Sequence, residues 1–230
     1  MKEGIKMITK KQLAAMIDHT NVKPYATEED MYKLCDEAIK YGFAMVAINS
    51  GQTQRCHEYL KSKGSNVHTG AAISFPLGQT SIEAKVYETK QAIDCGADEI
   101  DYVINITELK KKNYDYIKDE MKQINDICKA HNVICKVIFE TCYLTDDEKI
   151  KLCEIASEVK PTFIKTSTGM GEGGATLHDV QLMREHTCPE VKVKASGGVR
   201  TLEDVLAYLD AGVERIGTSQ GIKIVESLSE

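Results

Sequence analysis

Three lysines stand where lysine is seldom tolerated, inside apolar β-branched runs: Cys135-Lys136-Val137-Ile138-Phe139, Phe163-Ile164-Lys165-Thr166 and Val193-Lys194-Ala195. Lysine is almost never buried unless it is paired or functional. A single such residue can snorkel from a strand end, but three in successive runs mark a shared interior. Desolvation and neighbouring like charge both lower an ammonium pKa, and the free amine that results can attack a carbonyl and form an imine. Lys165 is the candidate nucleophile, near the middle of its run, with Thr166-Ser167-Thr168 leading on to the C-terminal rim. Lys194 is the neighbouring cation expected to keep it unprotonated. Asp101 opens another apolar run and would be an unpaired carboxylate unless the interior supplies a cation. It could hold Lys194 or a water for proton transfer, or form a purely structural pair with Lys136. Asp98 and Glu99 beside it read as a solvated polar turn, and Lys192 as an exposed residue where its strand starts.

Glycines cluster in the same half of the chain. Gly169, Gly171, Gly173 and Gly174 follow the Lys165 run, and Gly197-Gly198 follow the Lys194 run. The stretches Ser196-Gly197-Gly198-Val199-Arg200 and Gly217-Thr218-Ser219-Gln220 suit a phosphate held by backbone amides. The six histidines (His19, His57, His68, His131, His178, His186) are dispersed without metal-type spacing and read mostly as surface residues. No Gly-x-Ser-x-Gly, Walker A or paired-carboxylate signature is present.

A repeating unit is available to position these groups: a short apolar run, a turn, an amphipathic helix, then a glycine. Strands are predicted at Met16–Thr20, Ala44–Asn49, Val67–Phe75, Glu99–Asn105, Val133–Glu140, Thr162–Thr168, Val191–Ser196 and Glu214–Thr218. Most are continuous Val/Ile-rich runs, as in parallel strands covered on both faces. Helix starts are predicted at Thr27-x-x-Asp30, Thr80-x-x-Glu83, Thr145-x-x-Glu148, Thr176-x-x-Asp179 and Thr201-x-x-Asp204, where a hydroxyl can accept from an orphan first-turn amide. Met31, Leu34, Cys35 and Ala38 form one apolar stripe, and Leu152, Ile155, Ala156 and Val159 another. Gly42, Gly96 and Gly212 follow helices, where a left-handed residue is favoured. Eight strands with helical crossovers in 230 residues predict one domain over residues 1–230, a (β/α)8 TIM barrel. A doubly wound nucleotide-binding sheet is disfavoured, because no Gly-x-Gly-x-x-Gly turn follows the first strand; Gly169-Met-Gly-Glu-Gly-Gly174 comes only after the sixth.

Formal charge is −6, and no basic block is interleaved with aromatics, so no nucleic-acid partner is expected. Eight cysteines without a Cys-x-x-Cys pair, and a charged start Met1–Met7 without an apolar leader, predict a cytoplasmic protein with reduced thiols. No apolar run approaches the ~18 residues that a membrane span needs.

Along nearly its whole length the chain resembles 2-deoxyribose-5-phosphate aldolases. The resemblance is carried by Ile17-Asp-His-Thr-Asn-Val-Lys-Pro24, Phe75-Pro-Leu-Gly78, Gly96-Ala-Asp-Glu-Ile-Asp-Tyr-Val-Ile-Asn105 and Lys136-Val-Ile-Phe-Glu-Thr141. It continues through Phe163-Ile-Lys-Thr-Ser-Thr-Gly169, Gly173-Gly-Ala-Thr176, Val193-Lys-Ala-Ser-Gly-Gly-Val-Arg200 and Arg215-Ile-Gly-Thr-Ser219. It implies a class I aldolase of deoxyribonucleotide breakdown, with no metal or other cofactor. Such an enzyme cleaves 2-deoxy-D-ribose 5-phosphate reversibly to glyceraldehyde 3-phosphate and acetaldehyde. It also implies that Lys165 forms the imine, that Lys194 perturbs it, and that Asp101 with a water moves protons. By the same resemblance Gly169, Gly197, Gly198, Gly217 and Ser219 line the phosphate pocket, while Asp18, Thr20, Asn49 and Lys136 lie around the substrate, with Thr168 also facing it. A homo-oligomer, dimer or tetramer, is expected.

Three departures stand out. Val46-Ala-Ile-Asn-Ser50 replaces a Cys-Val-Asn-Pro stretch often found at the second strand, so cysteine-linked inactivation by aldehyde is not expected there. Met170 stands where some members carry a phosphate-binding lysine, leaving backbone amides or Arg200 to do more. The chain ends Glu226-Ser-Leu-Ser-Glu230, without the terminal tyrosine that aids proton transfer in some members. Two other functions compete with this one. A phosphosugar isomerase or synthase barrel would share the phosphate loops but need neither Lys165 nor Lys194. A non-catalytic scaffold would leave the lysine cluster as unexplained cost.

Overall fold

Strand and helix alternate along the computed structural model, which describes residues 8–229. The expectation drawn from the charged start Met1–Met7 lies outside the described residues, as does Glu230. The strands are β1 (Ile17–Asn21), β2 (Met45–Asn49), β3 (His68–Ile73), β4 (Glu99–Val103), β5 (Ile134–Ile138), β6 (Phe163–Lys165), β7 (Lys192–Ser196) and β8 (Arg215–Thr218). Every neighbouring pair is parallel, and β8 closes back on β1. The helices are α1 (Lys10–Ala14), α2 (Glu28–Tyr41), α3 (Thr53–Ser62), α4 (Ile82–Asp94), α5 (Ile106–Lys110) and α6 (Tyr114–Ala130). They continue with α7 (Asp146–Val159), α8 (Leu177–Glu185), α9 (Leu202–Asp210) and α10 (Gly221–Ser227). This is the (β/α)8 TIM barrel that the strand count requires.

The helices form where the capping chemistry demands. Thr27, Thr145 and Thr201 each make a reciprocal capping box, and Thr176 accepts from the amide of Asp179. The expected cap at Thr80 is displaced by one residue. Ser81 caps α4, because the Thr80 hydroxyl is engaged with Ser74. The α2 stripe Met31, Leu34, Cys35 and Ala38 is buried, as are Leu152, Ile155 and Ala156 of α7. Burial of each large apolar side chain contributes about 1.5–3 kcal/mol. No described helix is long and apolar enough to cross a membrane.

Several strands stop earlier than their apolar runs suggest, each for a local reason. Ser74 and Glu140 adopt φ of 49° and 56°, which ends the extended backbone after β3 and β5. Asn105 leaves β4 to cap α5. After Lys165 the ladder passes to a side chain: the Thr166 hydroxyl donates to the Ser196 carbonyl at 3.0 Å and accepts from its amide at 3.1 Å. Lys165 is therefore the last residue of β6 rather than a mid-strand one.

Candidate active site

Side chains on six strands meet in the barrel interior. In the parallel register Asp101 lies opposite Lys136, Lys165 opposite Lys194, and Lys194 opposite Arg215. All three lysines converge on one carboxylate. Asp101 Oδ1 accepts from Lys136 Nζ at 2.6 Å, and Oδ2 accepts from Lys165 at 2.8 Å and Lys194 at 2.7 Å. Below them, Lys194 also bonds Asp18, whose other oxygen accepts from Arg215 at 3.0 Å. Arg215 reaches Glu99 at 3.1 Å, and Glu99 lies 2.5 Å from Lys136. All of these groups are buried or nearly so.

Burial disfavours charge, so the interior has to pair what it ionises. Desolvation alone would raise the Asp101 carboxyl, but Lys136, Lys165 and Lys194 overcome it and hold it well below the usual carboxylate range. Lys136 is treated oppositely to Lys165. Despite its burial, the carboxylates of Asp101, Glu99 and Asp18 push Lys136 above the ordinary lysine value. Lys165 is lowered to about 8, first by desolvation and then by the charges of Lys194 and Lys136, against the pull of Asp101. About a tenth of this amine is therefore unprotonated at pH 7, against far less for an ordinary lysine, and an attacking amine must be unprotonated.

Lys165 faces a cleft of about 860 Å³ at the C-terminal ends of the strands. Thr20, Thr168, Gly169, Gly197, Gly198, Arg200, Gly217 and Ser219 all line it. A narrow recess of about 20 Å³ runs inward between Thr20, Phe75, Asp101, Lys165 and Thr168. The remaining residues singled out from sequence lie elsewhere. Asp18 and Lys136 are fully buried in the barrel interior. Half-buried Asn49 spends its amide on the Val22 carbonyl at 3.1 Å, which ties the end of β2 to the loop after β1. Arg200 is exposed at the rim.

The glycine loops are built for close approach. Gly197 has φ +84°, and a Cβ there would stand 3.1 Å from the Gly174 Cα and 3.3 Å from the Gly169 Cα. At Gly217 a Cβ would lie 2.8 Å from the Ser196 Cβ and 3.2 Å from Lys194 Cε, so glycine leaves room for the Lys194 stem. Among the described residues, the amides of Gly197, Gly198 and Ser219 donate to no protein acceptor. Such free amides are the donors an anion would take.

Four polar residues escape a reading of the sequence. Glu99 is fully buried rather than solvated; His68, Arg215 and Lys136 surround it. The missed signal is spacing: Glu99 and Asp101 are two apart on one strand and so share its inner face. Arg215 opens β8 in the same way. His19 is buried against Glu37 at 2.8 Å rather than exposed. Glu140, on its left-handed backbone, accepts from the amide and the hydroxyl of Thr168. Burial raises its carboxyl despite those bonds. Away from the cleft, Asp146, His178 and Asp179 come close enough to share an ion, but the Lys149 ammonium already bonds both carboxylates, at 3.0 and 2.6 Å. All eight cysteines are unpaired.

Residues 12–225 match the family model described as DeoC/LacD family aldolase. A deoxyribose-phosphate aldolase of Lactobacillus acidophilus is 60% identical over 215 residues, covering 94% of this chain and 90% of that protein. One from Thermococcus kodakarensis is 51% identical over 219 residues, covering 95% and 98%. Among solved structures, a tetrameric deoxyribose phosphate aldolase from Aeropyrum pernix aligns with a TM-score of 0.88 at 31% identity, covering 95% of this chain and 92% of that one. With this coverage, and with the lysine cluster inside the barrel, the chain belongs to the DeoC/LacD family of aldolases.

Proposed function

We infer that this chain cleaves 2-deoxy-D-ribose 5-phosphate reversibly to D-glyceraldehyde 3-phosphate and acetaldehyde through an imine on Lys165, as a step in deoxyribonucleotide breakdown. The reading is carried by one observation: of the described lysines that line the cleft, Lys165 is the buried one, bonded to Asp101, and burial with its cationic neighbours lowers its pKa to about 8. The names of the relatives supply the substrate; the free amides of Gly197, Gly198 and Ser219 suit its phosphate.

In the cleavage direction the Lys165 amine adds to the aldehyde carbon C1 and water leaves, giving the imine. A base removes the proton of the C3 hydroxyl, the C2–C3 bond breaks, and its electron pair passes into the imine to form an enamine. Glyceraldehyde 3-phosphate departs. Protonation of the enamine carbon and hydrolysis then release acetaldehyde and restore the amine. Asp101 is the candidate proton carrier, working through a water. The recess beside it has room for about one water molecule, which needs at least 10–15 Å³. Thr20 and Thr168 face the substrate, and Arg200 at the rim adds positive charge near the phosphate.

The deciding measurement is borohydride reduction in the presence of 2-deoxyribose 5-phosphate or acetaldehyde, followed by peptide mass spectrometry. A reduced adduct on Lys165 is expected. Turnover without any adduct would leave an isomerase- or synthase-type barrel without a covalent intermediate as the better reading. Assembly into dimers or tetramers is expected as well, read by light scattering.

A further inference from the structure

The buried charges form a closed circuit. Starting from Lys194, contacts run to Asp18, Arg215, Glu99, Lys136 and Asp101 and back to Lys194, positive and negative alternating throughout. Three cations face three carboxylates, so the circuit is neutral by itself. Lys165 hangs from it at Asp101 on the open side, and His68 hangs from it at Glu99 on the closed side. Among the described residues no other strand brings a charge to it: β2 offers Met45, whose sulfur is 3.4 Å from Lys136. Nearby Asp98 acts on His68, and Glu140 is close enough to Lys165 to interact with it.

Charge counting has a direct consequence. A proton on Lys165 adds a fourth cation to a balanced, water-poor cluster, and no carboxylate of the circuit is left over to neutralise it. Glu99 and Arg215 are the first residues of β4 and β8 and lie at the far end of the barrel from the cleft. Neither bonds Lys165 or lines the cleft, yet they supply one negative and one positive charge to the total. We propose that Glu99 and Arg215 are positioning residues that set the charge state of Lys165 from the closed end of the barrel, by fixing the balance of the circuit and with it the share of Asp101 left to Lys165. This rests on Lys165 being the imine-forming amine.

The sign differs for the two residues. Removing the Glu99 charge leaves the circuit one positive unit in excess, so Lys165 loses its proton more readily. Removing the Arg215 charge leaves it one negative unit in excess, so Lys165 holds its proton to higher pH. His68 could take up that excess instead, since its side chain is 44% exposed and bonded to Glu99. The arginine change is therefore made in a His68→Gln background.

The test reads the amine itself. Brief acetylation of the full chain across a pH series, with peptide mass spectrometry, gives the midpoint of Lys165 reactivity without any substrate. Glu99→Gln should move that midpoint down by about one pH unit, and Arg215→Met with His68→Gln should move it up by about as much. Glu99→Gln combined with Arg215→Met should return it close to wild type, which a packing defect would not do. An upward shift of one pH unit leaves about tenfold less free amine at pH 7. Midpoints unmoved in both variants, or moved in the same direction, would overturn the proposal. If the arginine variant does not fold, Glu99→Gln decides alone: a downward shift supports the proposal, and an unmoved or raised midpoint overturns it. Borohydride trapping on the wild-type chain keeps the outcomes apart, because a wild type without an adduct refutes the imine reading whatever the midpoints do.

Discussion

Lys165 and Lys194 lie opposite each other on adjacent strands and share a single oxygen, Oδ2 of Asp101, at 2.8 and 2.7 Å. Their charges compete for it, and Lys194, anchored a second time by Asp18, holds the stronger position. Removing that competitor should let Lys165 keep its proton. With a Lys165 pKa of about 8, the wild-type rate should climb with pH up to that value and then level. In Lys194→Leu the climb should be displaced to higher pH, and the rate near pH 7 should fall by about two orders of magnitude or more. A variant profile that overlays the wild type would refute the role of Lys194.

Asp101→Asn separates charge balance from proton transfer. The carboxylate raises the Lys165 pKa, so its loss should leave that amine at least as free as before. Trapping by borohydride should therefore persist, while cleavage falls by about 10²–10⁴ through loss of the proton carrier. Loss of trapping in a folded variant would show that Asp101 serves imine formation instead. Three buried cations then lack their common anion, so thermal stability should drop as well.

Much of this arrangement is legible in the sequence, because strands covered on both faces are written as continuous apolar runs and any charge within them stands out. Lys136, Lys165, Lys194 and Asp101 are visible for that reason. Glu99 is hidden by its neighbours: next to Asp98 it reads as part of a turn, although its two-residue spacing from Asp101 places it inside. Glu140 is hidden differently. Its role depends on a left-handed backbone at the end of β5, which no spacing rule announces, and on Thr168 being brought to it from β6's far end. The early end of β6 is likewise invisible, since it depends on the Thr166 hydroxyl taking over a backbone partner.

Gly217→Ala would place a methyl 2.8 Å from the Ser196 Cβ and 3.2 Å from Lys194 Cε. Overpacking of this kind costs about 1–3 kcal/mol, and here part of the strain falls on the Lys194 stem. Both the melting temperature and the rate should decrease. Gly51→Ala is the control, as nothing lies within 4 Å of its added Cβ; equal effects from the two would rule out the close approach as the cause.

Glu140→Gln should act on substrate binding. The carboxylate accepts from both the amide and the hydroxyl of Thr168, and an amide side chain offers only one acceptor oxygen for them. Loss of one charge-assisted bond, worth about 1.5–3 kcal/mol, should raise KM about tenfold and change kcat much less. A fall confined to kcat would assign Glu140 to the chemical step.

Glu99 and Asp101 also bear on how the sheet finds its pairing. Side chains alternate along a strand, so a slip of β4 by one residue would turn both carboxylates outward and bring Ile100 in. Lys136, Lys194 and Arg215 would then keep only Asp18 among the circuit's carboxylates, and a charge so stranded costs far more than a misplaced isoleucine. The polar interior thus works as a lock on strand register: a misaligned barrel is penalised by unmatched ions before any substrate arrives, and the chain that folds correctly has already assembled its reactive amine.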